Sequence, residues 1–506
     1  MSHGVLALDQ GSHASRACIF DESGALLASA VVPVATQHPA PLHVEQDPGE
    51  LVRSLQQAAT QTLQAARRSQ PRLELVAAGL AVQRSTVVCC SRRDSSALTP
   101  ALSWQDQRNA AWLERLAPRA SRVRELTGLP MSPHYGASKI RWCLDHLPAG
   151  ARAAAAGELL TLPLASYLAL QLASGTHPGD ARVDAANASR TLLFDSQRLD
   201  WSDELLADFL VERAWLPQFA PTCGDWGTLR IADCEVPLRA VTGDQSAVPY
   251  AAGTPDIDTV YVNLGTGAFI QRPLRARPPA PAPLLGSVLS SDGGAAVYSL
   301  EGTVNGAGSA VSWFCAQEHC AEESLWPALE TLPANPALPV FLNGVGGLGS
   351  PWWRTAMESQ YVAAGRRPTG ETGTAGPMQD GKLARFAALV ESVAFMIAAN
   401  AELLEAQAGA PRRVLLAGGM SRSDWLCRRL AALLGLPVQV LDTEASARGV
   451  AHLVAPELTA RWQTATAPVI HPQHDAALHA RYERFIAAVA ATLQKPANCS
   501  SANSSA

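Results

Sequence analysis

The chain is expected to be an α/β protein of two domains with an intervening cleft, and three observations carry that expectation. Its 506 residues exceed what one ordinary core organises. Short apolar strands alternate with helical patterns along its length, the signature of layered α/β architecture. A glycine-and-hydroxyl hairpin opens each half, at residues 9–14 and again at 264–268, so two related domains are expected.

Composition narrows the function. Charged residues are 17% and apolar ones 47%, with a net charge of −5, which describes a soluble globular protein without a basic patch for nucleic acid. Lys139, Lys382 and Lys495 are the only lysines, which we read as compositional bias. The ten cysteines are scattered, and the adjacent Cys89 and Cys90 point to opposite faces of a strand, where they cannot bridge easily. They read as reduced core thiols, hence a cytoplasmic protein. Neither a basic and apolar leader nor an unbroken apolar run of about 18 residues is found, so export and membrane spanning are not expected.

Residues 4–9, 15–20 and 25–32 read as a three-strand antiparallel meander, with turns at 10–14 and 21–24. The first turn offers a carboxylate, a glycine and a hydroxyl, which suits phosphate and a magnesium shell, although such a motif alone is more often a plain hairpin turn. Asp47-Pro-Gly-Glu50 predicts a helix to about residue 68, with Asp47 as N-cap, proline at the first position and Glu50 closing a capping box. Strands follow at 75–82 and 86–91, leaving Arg84 at a strand end. Ala101-Leu-Ser-Trp-Gln-Asp-Gln-Arg108 is either a sugar-binding loop or a surface loop around Trp104. The stretch 132–139 leads into an amphipathic helix, and Asn187-Ala-Ser-Arg-Thr191 ends a polar loop.

The apolar run 238–241 then stops in Thr242-Gly-Asp-Gln245, ahead of an alanine-rich helix. A side chain at the carboxyl end of such a strand stands where open α/β sheets bind ligands, which makes Asp244 a candidate general base. The competing reading is a turn with Asp244 as N-cap. Strands at 259–264, 268–271 and 296–300 repeat the opening pattern, and a helix forms around residue 311. The Gly-, Pro- and Thr-rich tract 360–380 is expected to be mobile. A strand at 413–417 meets Gly418-Gly419, whose bare backbone suits a planar base or a strand-to-helix turn. Helices at 423–434, from 444 and at about 475–494 close the fold, and the tail 497–506 is expected to be disordered.

These segments, in this order, resemble the FGGY carbohydrate kinases, and most closely their glycerol kinase branch. The resembling stretches are Leu8-Asp-Gln-Gly-Ser12, Val44-Glu-Gln-Asp-Pro48, Ser103-Trp-Gln-Asp106, Ser132-Pro133 with Ser138-Lys139, Asn187-Ala-Ser-Arg-Thr191, Gly243-Asp-Gln245, Gly265-Thr-Gly267 with Phe269, and Gly418-Gly419. The resemblance implies two actin-like (ribonuclease H-like) domains: residues 1–245 with the acceptor and base, and 246–496 with the nucleotide. It implies ATP and Mg2+ as cofactors and a small polyol or sugar as partner, with no nucleic acid or membrane; a homodimer is compatible with it. Asp244 would take the proton of the attacking hydroxyl, and Asp9 and Asp244 would hold the magnesium. Gly11, Ser12, His13, Arg16, Gly265, Thr266, Gly308, Gly419 and Ser423 would bind ATP. Arg84, Ser85, Trp104, His134, Tyr135, Gln245 and Phe269 would meet the acceptor.

The departures from that pattern bear on the substrate. Arg84-Ser85-Thr86 stands where glycerol kinases have Arg-Glu-Thr, and His134 stands where they have a tyrosine after Ser-Pro. His13, Ser312, Ala417 and Ser423 replace a threonine, a glutamine, an aspartate and an asparagine around the nucleotide. The loop that binds fructose bisphosphate in bacterial glycerol kinases is replaced by Ile231-Ala-Asp-Cys-Glu235, so that regulation is not expected. The leading expectation is a kinase with a best acceptor other than glycerol. Its rivals are an actin-like ATP switch without kinase activity and a true glycerol kinase with a divergent pocket.

Overall fold

The computed structural model describes residues 2–175, 177–279, 283–333, 338–355, 357–362, 381–441, 444–455, 462 and 468–494. Of the tract 360–380 expected to be mobile, Gln360–Val362 form a short strand paired with Val340–Leu342, while residues 363–380 and the tail 497–506 lie outside the described residues. Strands β1 (Ser2–Gln10), β2 (Ala14–Asp21) and β3 (Leu26–Pro33) form the expected antiparallel meander, and α1 (Pro48–Ser69) leads to β4 (Leu73–Val82). There follow β5 (Val87–Ser91), α2 (Gly136–His146), β6 (Leu159–Pro163), β7 (Ala173–Ser174), β8 (Thr228–Ile231) and β9 (Cys234–Gly243). The second half has β10 (Thr259–Leu264), β11 (Ala268–Leu274), β12 (Leu285–Ser291), β13 (Ala296–Val304) and α3 (Gly308–Glu318). It continues with α4 (Lys382–Ala408), β14 (Arg413–Ala417), α5 (Asp424–Leu434), β15 (Val438–Val440), α6 (Ala445–Val454) and α7 (Ala476–Gln494).

One sheet has the order β3-β2-β1-β4-β9-β8-β7 and another the order β12-β13-β11-β10-β14-β15. The run β3-β2-β1-β4-β9 in the first is matched by β13-β11-β10-β14-β15 in the second, so the repeated hairpin marks a repeated sheet. The described residues of Met1–Asn263, Gln271–Glu301 and Leu441–Ala467 form one compact unit, and those of Leu264–Ile270, Gly302–Val440 and Pro468–Ala506 form a second.

Helix α1 follows from its sequence. Asp47 accepts from the Gly49 amide at 2.8 Å, Pro48 supplies a preset φ, and Leu51, Leu55, Ala58, Ala59, Leu63 and Ala66 make one buried stripe. The capping box does not form, because Glu50 accepts instead from the Ala35 amide at 2.9 Å and ties the chain after β3 to the helix. The stretch 187–191 is corrected as well: it is helical and buried rather than a polar loop, with Asp184 as N-cap accepting from Asn187. Cys89 and Cys90 do face opposite ways, Cys89 into the core beneath α2 and Cys90 into the core beneath α1. Helix α4 is long and apolar enough to cross a bilayer, but 83% of its most apolar window is buried within the protein.

Candidate functional site

Strands β1 and β9 run parallel to β4 on its two sides. Asp9 and Thr242 are both in register with Ala81, so Asp9 and Asp244 stand at the same carboxyl edge of the sheet, the edge that binds ligands in open α/β folds. The strand passes directly into a short helix, Asp244–Ala247, whose N-cap is Gly243. The cap reading of Asp244 is therefore corrected. Its Oδ1 accepts from the Gln245 amide at 2.7 Å. Gly243 is required by close approach, since a Cβ there would lie 2.6 Å from the Arg84 stem.

Burial raises the Asp244 pKa, against the pull of Arg84, the Gln245 hydrogen bonds and Arg190. Asp9 is pushed up to about 7, first by burial and then by the charge of Asp244, with Arg16 pulling the other way. Two carboxylates that repel each other in this way fit a divalent cation. Mg2+ takes one or two protein carboxylates and completes its octahedron with water and phosphate oxygens. Consistent with so few protein ligands, no group of three or more metal-ligating side chains gathers among the described residues.

The first hairpin is tied to the Trp104 loop. Trp104 donates from Nε1 to Ser12 Oγ at 2.8 Å, and Ser12 Oγ donates to Gln83 Oε1 at 3.0 Å. Gln83 donates in turn to Gln46, which donates to the Ser12 carbonyl at 2.8 Å. The Ser12 hydroxyl is thus engaged within the protein. His13 is exposed at the tip of the turn, beside Gly11, and Arg16 is in register with Asp9 and ion-paired with Glu444.

Sequence reasoning missed the buried charge cluster around Arg84. Glu301, fully buried, accepts from Arg84 at 2.9 and 3.2 Å and from Arg190, while Arg190 also donates to Ser287 Oγ at 2.6 Å. Burial alone would raise the Glu301 carboxyl, but Arg190 and Arg84 hold it well below the ordinary range. Lys139, 1% exposed, donates to the carbonyls of Ser85 (3.1 Å) and His134. Its pKa is lowered to about 7 by burial, with Asp106 opposing and Arg108 assisting. His134 packs against Trp104 and Tyr135, with ring centroids 5.4 and 5.0 Å apart. Burial, and then Lys139, Arg190 and Arg84, keep its pKa well below the usual value, so it is neutral at physiological pH. Ser85 is buried in the left-handed region, φ 66, and its hydroxyl has no hydrogen-bond partner. Gln245 accepts from Asn263 at 3.1 Å. Arg190 lay inside a quoted motif; Glu301, a lone acid in an apolar strand, was the signal for the rest.

In the second unit, the Gly265 and Thr266 carbonyls accept from Gly308 and Ser309 at 3.0 and 2.9 Å, which seats the second hairpin on the start of α3. Phe269 is half-buried on β11. Gly418 has φ 90, which explains that glycine by backbone geometry. Gly419 has neither a positive φ nor any atom within 4 Å of a Cβ, so nothing internal requires its bareness. Ser423 is committed as the N-cap of α5, accepting from Leu426 at 3.3 Å.

The amino- and carboxyl-terminal domain models of the FGGY family of carbohydrate kinases match residues 4–264 and 260–456. A glycerol kinase of Alkalilimnicola ehrlichii is 35% identical over 463 residues, 89% of either chain. A glycerol kinase of Trichlorobacter lovleyi is 32% identical over 502 residues, 95% of this chain and 98% of that one. Among solved structures, Plasmodium falciparum glycerol kinase with ADP has a TM-score of 0.84 at 20% identity, covering 98% and 99% of the two chains. A xylulose kinase from Brucella ovis has a TM-score of 0.80 at 22% identity, covering 97% and 99%. The fold is accordingly that of the two-domain, actin-like (ribonuclease H-like) kinases.

Proposed function

We propose, from the premise that the chain belongs to the FGGY family of carbohydrate kinases, that this ATP-dependent kinase phosphorylates a small polyol or sugar other than glycerol, with Asp244 as base. The nucleotide, with Mg2+, supplies the phosphoryl group and neutralises its charge. The acceptor hydroxyl oxygen bonds to the γ-phosphorus, the bond to the β-phosphate oxygen breaks, the hydroxyl proton goes to Asp244, and ADP leaves. Arg84, Trp104, His134 and Gln245 orient the acceptor, and residues 246–496 carry the nucleotide. The hairpin around Gly265-Thr266, with Gly308 and Gly419, binds the nucleotide. We assign the protein to the cytoplasm, where thiols stay reduced, in keeping with nine free cysteines among the described residues.

The observation that carries the choice of acceptor is Ser85. A carboxylate at that position makes charge-assisted hydrogen bonds to a vicinal diol that a serine cannot match, a difference of about 1–3 kcal/mol in a buried site. The second reading, glycerol as best acceptor, is favoured by the name its relatives carry. Steady-state kinetics of the parent and of Ser85→Glu with His134→Tyr decide between them. The double variant is expected to gain specificity for glycerol about tenfold or more; a parent that already prefers glycerol to every other acceptor overturns the proposal.

A further inference from the structure

The Ser12 hydroxyl has a single proton, and its neighbours fix where that proton points. Gln46 Nε2 donates to the Ser12 carbonyl at 2.8 Å, and a carbonyl can only accept. Gln46 therefore turns its own side-chain oxygen to Gln83, whose Nε2 donates to it at 2.7 Å. That leaves the Gln83 oxygen facing Ser12, so the hydroxyl must donate to it, at 3.0 Å. From the other side Trp104 Nε1, a donor only, reaches the same hydroxyl oxygen at 2.8 Å. The acceptor-only carbonyl and the donor-only indole thus set the direction of every hydrogen bond between them. Gln46 and Gln83 are 1% and 3% exposed, so turning the hydroxyl away would leave a buried amide oxygen unpaired. Both partners of the hydroxyl come from the acceptor side: Gln83 precedes Arg84 and Ser85 in the chain, and Trp104 packs against His134. The turn has other donors, since the Ser12 and His13 amides make no hydrogen bond among the described residues.

We propose that Ser12 and Gln83 are positioning residues for the acceptor: the Ser12 hydroxyl anchors the Trp104 indole, rather than gripping the phosphates of ATP as the family resemblance implies. This rests on the kinase reading of the same site and reassigns one group within it. Any phosphate held by this turn is left the backbone amides, which no side-chain substitution removes. The indole N–H is taken by Ser12, so Trp104 offers the acceptor its ring face alone.

The test separates the two possible roles of Ser12 in the full-length enzyme. Acceptor KM is measured by ADP release at saturating MgATP, with glycerol, erythritol, xylitol and xylulose as acceptors. Nucleotide binding is measured without acceptor, by calorimetric titration with magnesium and the β,γ-imido analogue of ATP. Ser12→Ala should raise the acceptor KM about three- to tenfold, the effect of a lost hydroxyl hydrogen bond, and leave the analogue's Kd within about twofold. Ser12→Thr, which keeps the hydroxyl, should restore the parent acceptor KM. In a Trp104→Phe background, which keeps a ring but no N–H, Ser12→Ala should add little, because the bond it breaks is already gone. Gln83→Met, which leaves the turn's own atoms in place, should show the same split and serves if Ser12→Ala does not fold. An analogue Kd that weakens as much as the acceptor KM rises, or more, overturns the inference and returns the hydroxyl to the phosphates. An unchanged acceptor KM, or a full effect of Ser12→Ala in the Trp104→Phe background, overturns it as well. A parent that releases no ADP with any of these acceptors overturns the kinase reading instead, and the calorimetry, which needs no turnover, still judges the Ser12 hydroxyl.

Discussion

Asp9 and Asp244 differ in what their protons cost. Asp9 rises from 3.8 to about 7, so above pH 7 its ionised form opposes folding by about 4 kcal/mol before solvent screening. The folded state holds the proton more tightly than the unfolded one, and stability therefore falls as pH rises between those values. Asp9→Asn should raise Tm in buffer with EDTA and without nucleotide, more at pH 8 than at pH 5, while turnover falls. A thermal melt at both pH values checks this, and a gain that is equal or larger at pH 5 contradicts it. As the proposed base, Asp244 would act through the proton it accepts. Its raised pKa places an acid limb in kcat/KM for the acceptor, activity falling as pH drops and the carboxylate protonates. Asp244→Asn should lower kcat by about 10²–10⁴ and abolish that limb. At this scale the sequence showed Asp244 and Asp9 through their strand-end positions, and Ser85 and His134 through their departure from a pattern. Glu301 and Arg190 each carry a local mark, a lone acid in an apolar strand and an arginine within Asn187-Ala-Ser-Arg-Thr191, but their pairing has no local signature because the partners are distant in the chain.

Elements hold these side chains through a few close contacts. Helix α6 lies so near the Asp244–Ala247 helix that a Cβ on Gly449 would collide with the Ala247 carbonyl. Helix α2 sends Lys139 to the two carbonyls that fix the Ser85 turn and His134. Lys139→Met should therefore raise the acceptor KM about tenfold, with the ATP KM unchanged, whereas a general loss of folded protein would lower kcat for both substrates alike. Kinetics with each substrate varied in turn separate the two. The strands and helices themselves were legible because their cues are local: the Asp47-Pro48 cap, the apolar stripe of α1, and Gly435 with φ 64 at the end of α5. The errors came where a side chain had a better distant partner. Glu50 left its capping box for the Ala35 amide, and the polar-looking stretch 187–191 is buried because Arg190 pairs with Glu301.

Each unit of the molecule buries one glutamate between two arginines. In the first, Glu301 sits between Arg84 and Arg190; in the second, Glu391 on α4 accepts from Arg429 at 2.9 Å and from Arg481 at 2.8 and 2.7 Å. Glu391 is fully buried in a helix that otherwise reads as apolar, and Arg429 also stacks on Trp425 at 3.2 Å. The second triad joins α4, α5 and α7, elements that carry no proposed acceptor residue. Removing one member of a buried charge cluster leaves the others unpaired and costs about 3–5 kcal/mol, while replacing the whole cluster by apolar residues is often neutral. Glu391→Leu alone should lower the midpoint of denaturant unfolding strongly. Adding Arg429→Met and Arg481→Met should recover most of that loss, with kcat per folded molecule unchanged throughout. Glu301→Leu should behave differently, because releasing Arg84 and Arg190 disturbs the acceptor side and kcat/KM falls along with stability. Parallel unfolding curves and acceptor kinetics on the two series settle the division of labour, and an equal loss of kcat/KM per folded molecule in the Glu391 series would show that both triads serve the reaction.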